Sequence, residues 1–141
     1  MTSQDINNTA VPLSIKDALK KVYVPNLIAL INLLGEKSNE YSEIAMLART
    51  HGQAASPTRL GKEIKVFQVR INEQLKFLNT IPIAAKFGGA TGNFNAHHVA
   101  FPKIDWKEFG TSLINGLGLH HSYPTTPVSY THLRAHETRR Y

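Results

Sequence analysis

Apolar residues recur along most of this chain at intervals of three and four, the spacing that puts them on one face of an α-helix. The first such run comprises Ile15, Leu19, Val22, Leu27, Leu30, Ile31 and Leu34, and it closes near Gly35. Ser14 is placed to cap it, with Asp17 three residues on in the manner of a capping box. Pro25 lies inside the run, where its missing N–H and crowding of the preceding turn predict a kink or a split. A short apolar stretch over 44–48 then leads into Thr50-His51-Gly52-Gln53. Ser56-Pro57 reads as the next helix start, a capping hydroxyl followed by proline at the first helical position. Leu60, Ile64, Phe67, Ile71, Leu75 and Leu78 follow as one stripe about six turns long. Pro82 marks its stop.

A last helix is predicted over 105–117, with Trp106, Phe109, Leu113 and Leu117 on one side. No alternating strand pattern of useful length and no internal repeat is visible. The pattern therefore predicts an all-α fold of long antiparallel helices, with the helices starting at Ser14 and Pro57 side by side. A helix with a single apolar stripe cannot bury it alone, so partner helices are needed, from this chain or another.

Composition narrows the class. The chain has 141 residues, 42% apolar and 18% charged, which is ordinary for a globular protein. It has no cysteine, which excludes disulfides and thiolate metal sites and fits a cytoplasmic protein. No apolar run approaches bilayer length, and the opening Met1-Thr2-Ser3-Gln4-Asp5 lacks a signal-peptide pattern, so no membrane association is expected. The formal charge of +6 raises a nucleic-acid reading, but Arg134, Arg139 and Arg140 supply part of it from the last fifteen residues. The remaining lysines are scattered rather than gathered on one face, so a small anionic metabolite is the expected partner and not nucleic acid.

The tail breaks with everything before it. Residues 128–138 back-translate to the transposase adapter used in sequencing libraries, and the match reaches into the Pro127 codon. Residues 127–141 are therefore expected to be non-native and disordered, with the natural frame cut near Thr126. His132, His136 and the terminal arginines carry no functional weight on this reading.

Chemistry concentrates in a few segments. In Arg49-Thr50-His51-Gly52-Gln53, a histidine with a near-neutral pKa can hold a proton ready to give. Gly52 lets backbone approach a ligand, and Thr50 and Gln53 offer neutral hydrogen bonds. Taken alone, His51 reads as a satisfied histidine in a loop before a helix rather than a catalytic one, and Thr2-Ser3-Gln4-Asp5 can be a plain capping turn. The Gly88–Asn93 stretch lacks the Lys-Ser/Thr ending of a phosphate loop. His97-His98 and His120-His121 have no third ligand at metal spacing and read as structural or surface pairs.

Taken together, Thr2-Ser3-Gln4-Asp5-Ile6-Asn7-Asn8, Arg49-Thr50-His51-Gly52-Gln53 and Ala55-Ser56-Pro57-Thr58 resemble the fumarase and aspartase superfamily of lyases. Gly89-Ala90-Thr91-Gly92-Asn93-Phe94-Asn95-Ala96-His97 and Tyr123-Pro124-Thr125-Thr126 narrow the likeness to the adenylosuccinate lyases, over residues 2–126. The resemblance implies that residues 1–126 are part of the superfamily's central helical bundle, from a homotetramer whose active sites draw on three subunits. It implies β-elimination of fumarate from adenylosuccinate to leave AMP, and likewise from the succinyl-carboxamide ribotide, in purine biosynthesis. No metal or organic cofactor is implied.

His51 would be the general acid, and Thr2, Ser3, Thr50 and Gln53 substrate contacts. Asp5 would be a helix-end or inter-subunit anchor, and the Gly88–Asn93 turn would bring Thr91 and Asn93 towards the substrate.

Departures from the family pattern matter. Ala54 stands where proline usually follows His-Gly-Gln, and Pro127 where a substrate-contacting glutamine should follow Thr126. The Ser-Ser-x-Met-Pro-x-Lys-x-Asn loop that supplies the serine base is absent, as is the amino-terminal domain with its own histidine. An internal fragment, inactive alone, is expected. The alternatives are another fumarate-releasing lyase, such as an argininosuccinate lyase, or a non-catalytic helical interaction module.

Overall fold

A computed structural model describes residues 2–125; the expected non-native tail lies outside them. The chain is dominated by helices, as the periodicity predicts. In order they are α1 (Ser3–Ala18), a π-helical turn (Leu19–Tyr23), α2 (Val24–Glu40), α3 (Leu60–Thr80), α4 (Asn95–Ala100) and α5 (Trp106–Gly116). Between α2 and α3 lies an antiparallel hairpin, β1 (Ala45–Thr50) and β2 (Gln53–Arg59). Two short strands, β3 (Ala84–Ala85) and β4 (His120–His121), pair in parallel. The described residues form two compact units, one of residues 2–17 together with 82–125, the other of residues 18–81.

Several expectations are corrected. The first helix starts at Ser3 rather than after Ser14, which sits mid-helix and caps nothing. Pro25 does not split the run. The turn before it widens to π geometry, with the Val24 N–H donating to the Leu19 carbonyl, and this accommodates a residue that has no N–H to give. The backbone thus stays helical from Ser3 to Glu40. Among the described residues this is the one helix long and apolar enough to cross a bilayer, at a mean hydropathy of 1.2 over an 18-residue window, despite Lys20, Lys21 and Pro25 interrupting the apolar run.

The unit of residues 18–81 packs α2 against α3. Ser38 Oγ donates to the Gly61 carbonyl at 2.8 Å and Gln68 Nε2 to the Ile31 carbonyl at 3.1 Å, so the contacts run in opposite directions along the two helices. They are the expected antiparallel neighbours. Ile31, Gly35, Ser38, Gly61 and Leu75 are buried between them. Phe67, expected in the stripe, is 61% exposed, because Gln68 takes the inward position and satisfies the Ile31 carbonyl.

In the other unit Ala85, Phe87, Phe94, Trp106, Ile114 and Leu119 form the core. α5 starts one residue after the expected Asp105, whose carboxylate caps it by accepting from the Glu108 N–H at 2.9 Å. Its buried face is Trp106, Gly110 and Ile114; the expected Phe109, Leu113 and Leu117 lie partly exposed beside it.

Candidate active site

The His51 segment is not a loop leading into a helix but the tip of the β1–β2 hairpin. Thr50 pairs with Gln53, leaving His51 and Gly52 as a two-residue connection. Their φ values are +50° and +76°. Positive φ at both central residues is the mark of a type I′ turn, whose twist matches the flanking strands. Glycine adopts it without strain. For histidine it is uncommon and held only by the surrounding ladder. A β-carbon on Gly52 would meet nothing, so here its backbone freedom, rather than close approach, is what the turn requires.

The hairpin also explains Ser56-Pro57. Pro57 pairs with Leu47 and lies in β2, and α3 begins only at Leu60. The register slips between Leu47 and Arg49, so that Ala55 and Ser56 together oppose Ala48. Such a bulge bends the strand and re-aims the residues beyond it, here the tip. The hairpin base is tied by the Leu60 N–H to the Ile44 carbonyl at 2.9 Å and the Gly61 N–H to the Tyr41 carbonyl at 3.0 Å. Thr50, His51 and Gln53 are all exposed at the tip, brought together in space as they are in sequence.

Thr2 and Ser3 lie in the other unit, at the start of α1. The Thr2 carbonyl accepts from the N–H of Asp5 at 3.1 Å and of Ile6 at 3.3 Å. Asp5 Oδ2 in turn accepts from the Thr2 N–H at 3.0 Å, which is the side-chain half of a capping box; the half that the Thr2 hydroxyl would supply is not made. Ser3 is exposed, whereas the Thr2 hydroxyl is buried with no hydrogen-bond partner.

Asp5 itself is buried. Its Oδ1 accepts from the N–H groups of Gly88 and Gly89, each at 3.1 Å, and lies 3.3 Å from Lys86 Nζ. Burial pushes the Asp5 carboxyl up, but the N–H groups of Thr2 and Gly88 and the Lys86 ammonium outweigh it and hold it below the usual 3.8. The helix-end anchor expected of Asp5 is there. Lys86 was not singled out from the sequence, although a lone lysine amid Ile83-Ala84-Ala85-Lys86-Phe87 is the pattern a paired buried cation leaves.

The glycine turn is closed by the Phe94 N–H on the Gly88 carbonyl at 2.9 Å. Gly92 lies against the Thr125 backbone with no room for a β-carbon, so two of the recognised motifs meet. Asn93, Phe94, His98, Trp106 and Tyr123 line a cleft of about 420 Å³ beside this junction.

The histidine pairs separate. His121 is buried, with Nδ1 2.9 Å from Thr111 Oγ1 and Nε2 3.3 Å from the Phe87 carbonyl oxygen. His97 packs edge-on to Phe87, Phe94 and Trp106. Among the described residues no group of three or more His, Cys, Asp or Glu side chains is placed to hold a metal ion.

Comparison with known proteins follows the same lines. An adenylosuccinate lyase of Dictyostelium discoideum is 48% identical over 119 residues, 83% of this chain and 26% of that protein. That of Escherichia coli (strain K12) is 38% identical over 127 residues, 90% of this chain and 28% of its own length. The chain thus spans little more than a quarter of these relatives. In fold it is similar to a fumarate lyase from Mesorhizobium sp. BNC1, with a TM-score of 0.77 and 23% identity over 98% of this chain and 32% of that one. It is similar also to a 3-carboxy-cis,cis-muconate lactonizing enzyme from Pseudomonas putida, with a TM-score of 0.73 and 24% identity over 97% of this chain and 30% of that one. Residues 1–134 match the Lyase family, and it is to this family that the chain belongs.

Proposed function

We propose that the chain is a segment of an adenylosuccinate lyase, an enzyme that eliminates fumarate from adenylosuccinate to leave AMP, and from the succinyl-carboxamide ribotide likewise. The observation that carries this reading is identity of 38–48% to adenylosuccinate lyases over 83–90% of this chain, within a Lyase family match over residues 1–134 that holds both the Thr2-Ser3 and the His51 segments. In the elimination a base removes a proton from the carbon next to a carboxylate. The C–N bond then breaks, its electron pair going to nitrogen, which must be protonated as it leaves.

His51 is the proton donor in this reading. It stands at an exposed hairpin tip, flanked by the Thr50 hydroxyl and Gln53 amide, where imidazole can reach a ligand brought by neighbouring chain. The type I′ turn fixes the His51 backbone, so the imidazole is carried on a defined tip rather than a loose loop. Thr2 and Ser3 serve as donors to substrate oxygens. The working enzyme is a cytoplasmic homotetramer that uses no metal or organic cofactor and has no membrane or nucleic-acid partner. The 141-residue chain contains no Ser-Ser-x-Met-Pro segment to supply the base, so alone it is inactive.

The test is to replace the matching segment of the Escherichia coli relative with residues 2–125 and follow fumarate release from adenylosuccinate. The hybrid is expected to be active, the 141-residue chain silent. His51→Gln in the hybrid is expected to lower kcat by about 10²- to 10⁴-fold. An inactive but folded hybrid, or a His51→Gln hybrid that keeps its kcat, would refute the reading.

A further inference from the structure

We propose that Asp5 is a positioning residue for the substrate-binding Thr2-Ser3 pair: its carboxylate holds the Thr2 backbone in place while the Thr2 hydroxyl, unused by the cap, is left for a ligand oxygen. The inference rests on the reading of Thr2 and Ser3 as substrate contacts.

A threonine at the start of a helix ordinarily spends its hydroxyl on the N–H three residues on. Here that N–H, from Asp5, goes to the Thr2 carbonyl instead, at 3.1 Å. The cap is supplied in the other direction, by Asp5 Oδ2 on the Thr2 N–H at 3.0 Å. Thr2 Oγ1 is left buried and without a partner. An unpaired buried hydroxyl is a cost that the free fold carries and that an acceptor oxygen removes. A carboxylate or phosphate oxygen of the substrate has that chemistry.

The other half of the carboxylate shows why Asp5 can do this. Oδ1 is held by the Gly88 and Gly89 N–H groups at 3.1 Å and faces Lys86 Nζ at 3.3 Å. Lys86 is itself fixed by donating to the Gly89 carbonyl at 2.6 Å. With both oxygens engaged, the carboxylate cannot rotate, and the start of α1 is locked to the glycine turn. A plain helix cap needs none of this. Thr2 alone could cap the helix, and a buried ion pair is a poor source of stability compared with apolar packing. The arrangement is better suited to holding Thr2 in place than to holding the helix together.

The experiment uses the same hybrid lyase, assayed for KM and kcat with adenylosuccinate. Asp5→Asn keeps an acceptor for the glycine N–H groups but loses the charged bond to Thr2, and is expected to raise KM about tenfold with kcat within about twofold. Because Asp5→Asn also strands the Lys86 cation, the balanced variant Asp5→Asn/Lys86→Met is measured beside it and is expected to keep the raised KM. An unchanged KM in Asp5→Asn, or a return to the parent KM in the double variant, would overturn the proposal, since the effect would then be structural or due to the stranded charge. Failure of the parent hybrid to release fumarate counts instead against the functional reading on which the inference stands.

Discussion

Single residues carry most of what is specific about this chain, and the motifs made several of them legible. His51 stood out by its neighbours in the sequence, but its backbone did not. A histidine beside a glycine predicts a flexible turn; that both residues sit at positive φ follows only from the ladder that closes Thr50 on Gln53. His97 shows the converse. The His97-His98 pair signals nothing in particular, yet His97 lies against Phe87, Phe94 and Trp106, and neither ring nitrogen has a hydrogen-bond partner. Burial therefore holds its pKa below the ordinary 6.5. On unfolding, His97 regains that ordinary value and takes up a proton that the folded ring refuses. Stability is then complete above about pH 6.5 and falls as the pH drops through that value towards the lower folded one. His97→Phe, which keeps the aromatic packing, is expected to shrink the fall in urea midpoint between about pH 8 and about pH 5. Asp5 does not blur this window, because its lowered pKa is lost only on the acid side of 3.8. An unchanged fall in the variant would show that other groups set the acid limit.

At the scale of elements, the stripes announced the helices and the local signals misplaced their ends. Ser14-x-x-Asp17 and Thr2-x-x-Asp5 have the same form, and only the second is a cap, because Asp5 has partners far along the chain at Lys86, Gly88 and Gly89 and Ser14 sits inside a continuous helix. Ser56-Pro57 mimics a helix start but pairs with β1, a long-range choice that composition does not record. Gly61 was equally silent, though it decides how closely α2 and α3 approach. A β-carbon there would collide with the Ser38 carbonyl and the Ser42 backbone, while the Gly61 N–H and carbonyl already bond to Tyr41 and Ser38. Helix propensity alone would favour alanine by about 1 kcal/mol. The backbone collision opposes this and outweighs it, because neither main chain can step aside without breaking those bonds. Gly61→Ala is therefore expected to destabilise the fold by a net amount on the order of 1–3 kcal/mol, read from denaturant unfolding. A stabilised variant would show that the helices are free to separate.

Across the whole molecule, apolar surface is the dominant unresolved feature. Each unit buries a small core, while α2 leaves Leu30 and Leu33 at 43% and 50% exposure and α3 leaves Phe67 and Phe77 at 61% and 63%. Two helices and a hairpin can cover only one stripe of each helix, so a helix that is apolar around more of its circumference stays partly bare. The sequence anticipated this much, in requiring partner helices. It gave no sign of which side chains would be bare, because the exposed Leu30 and the buried Ile31 of α2 are adjacent apolar residues. Surfaces of this kind draw copies together when no other helix covers them. The 141-residue chain is thus expected to self-associate with rising concentration in sedimentation velocity. Leu30→Lys/Leu33→Lys lie three positions apart on one face and should shift that association to higher concentration while leaving the far-UV circular dichroism unchanged. A chain that stays monomeric across the series, or a variant that associates as before, would place the sticky surface elsewhere than on α2.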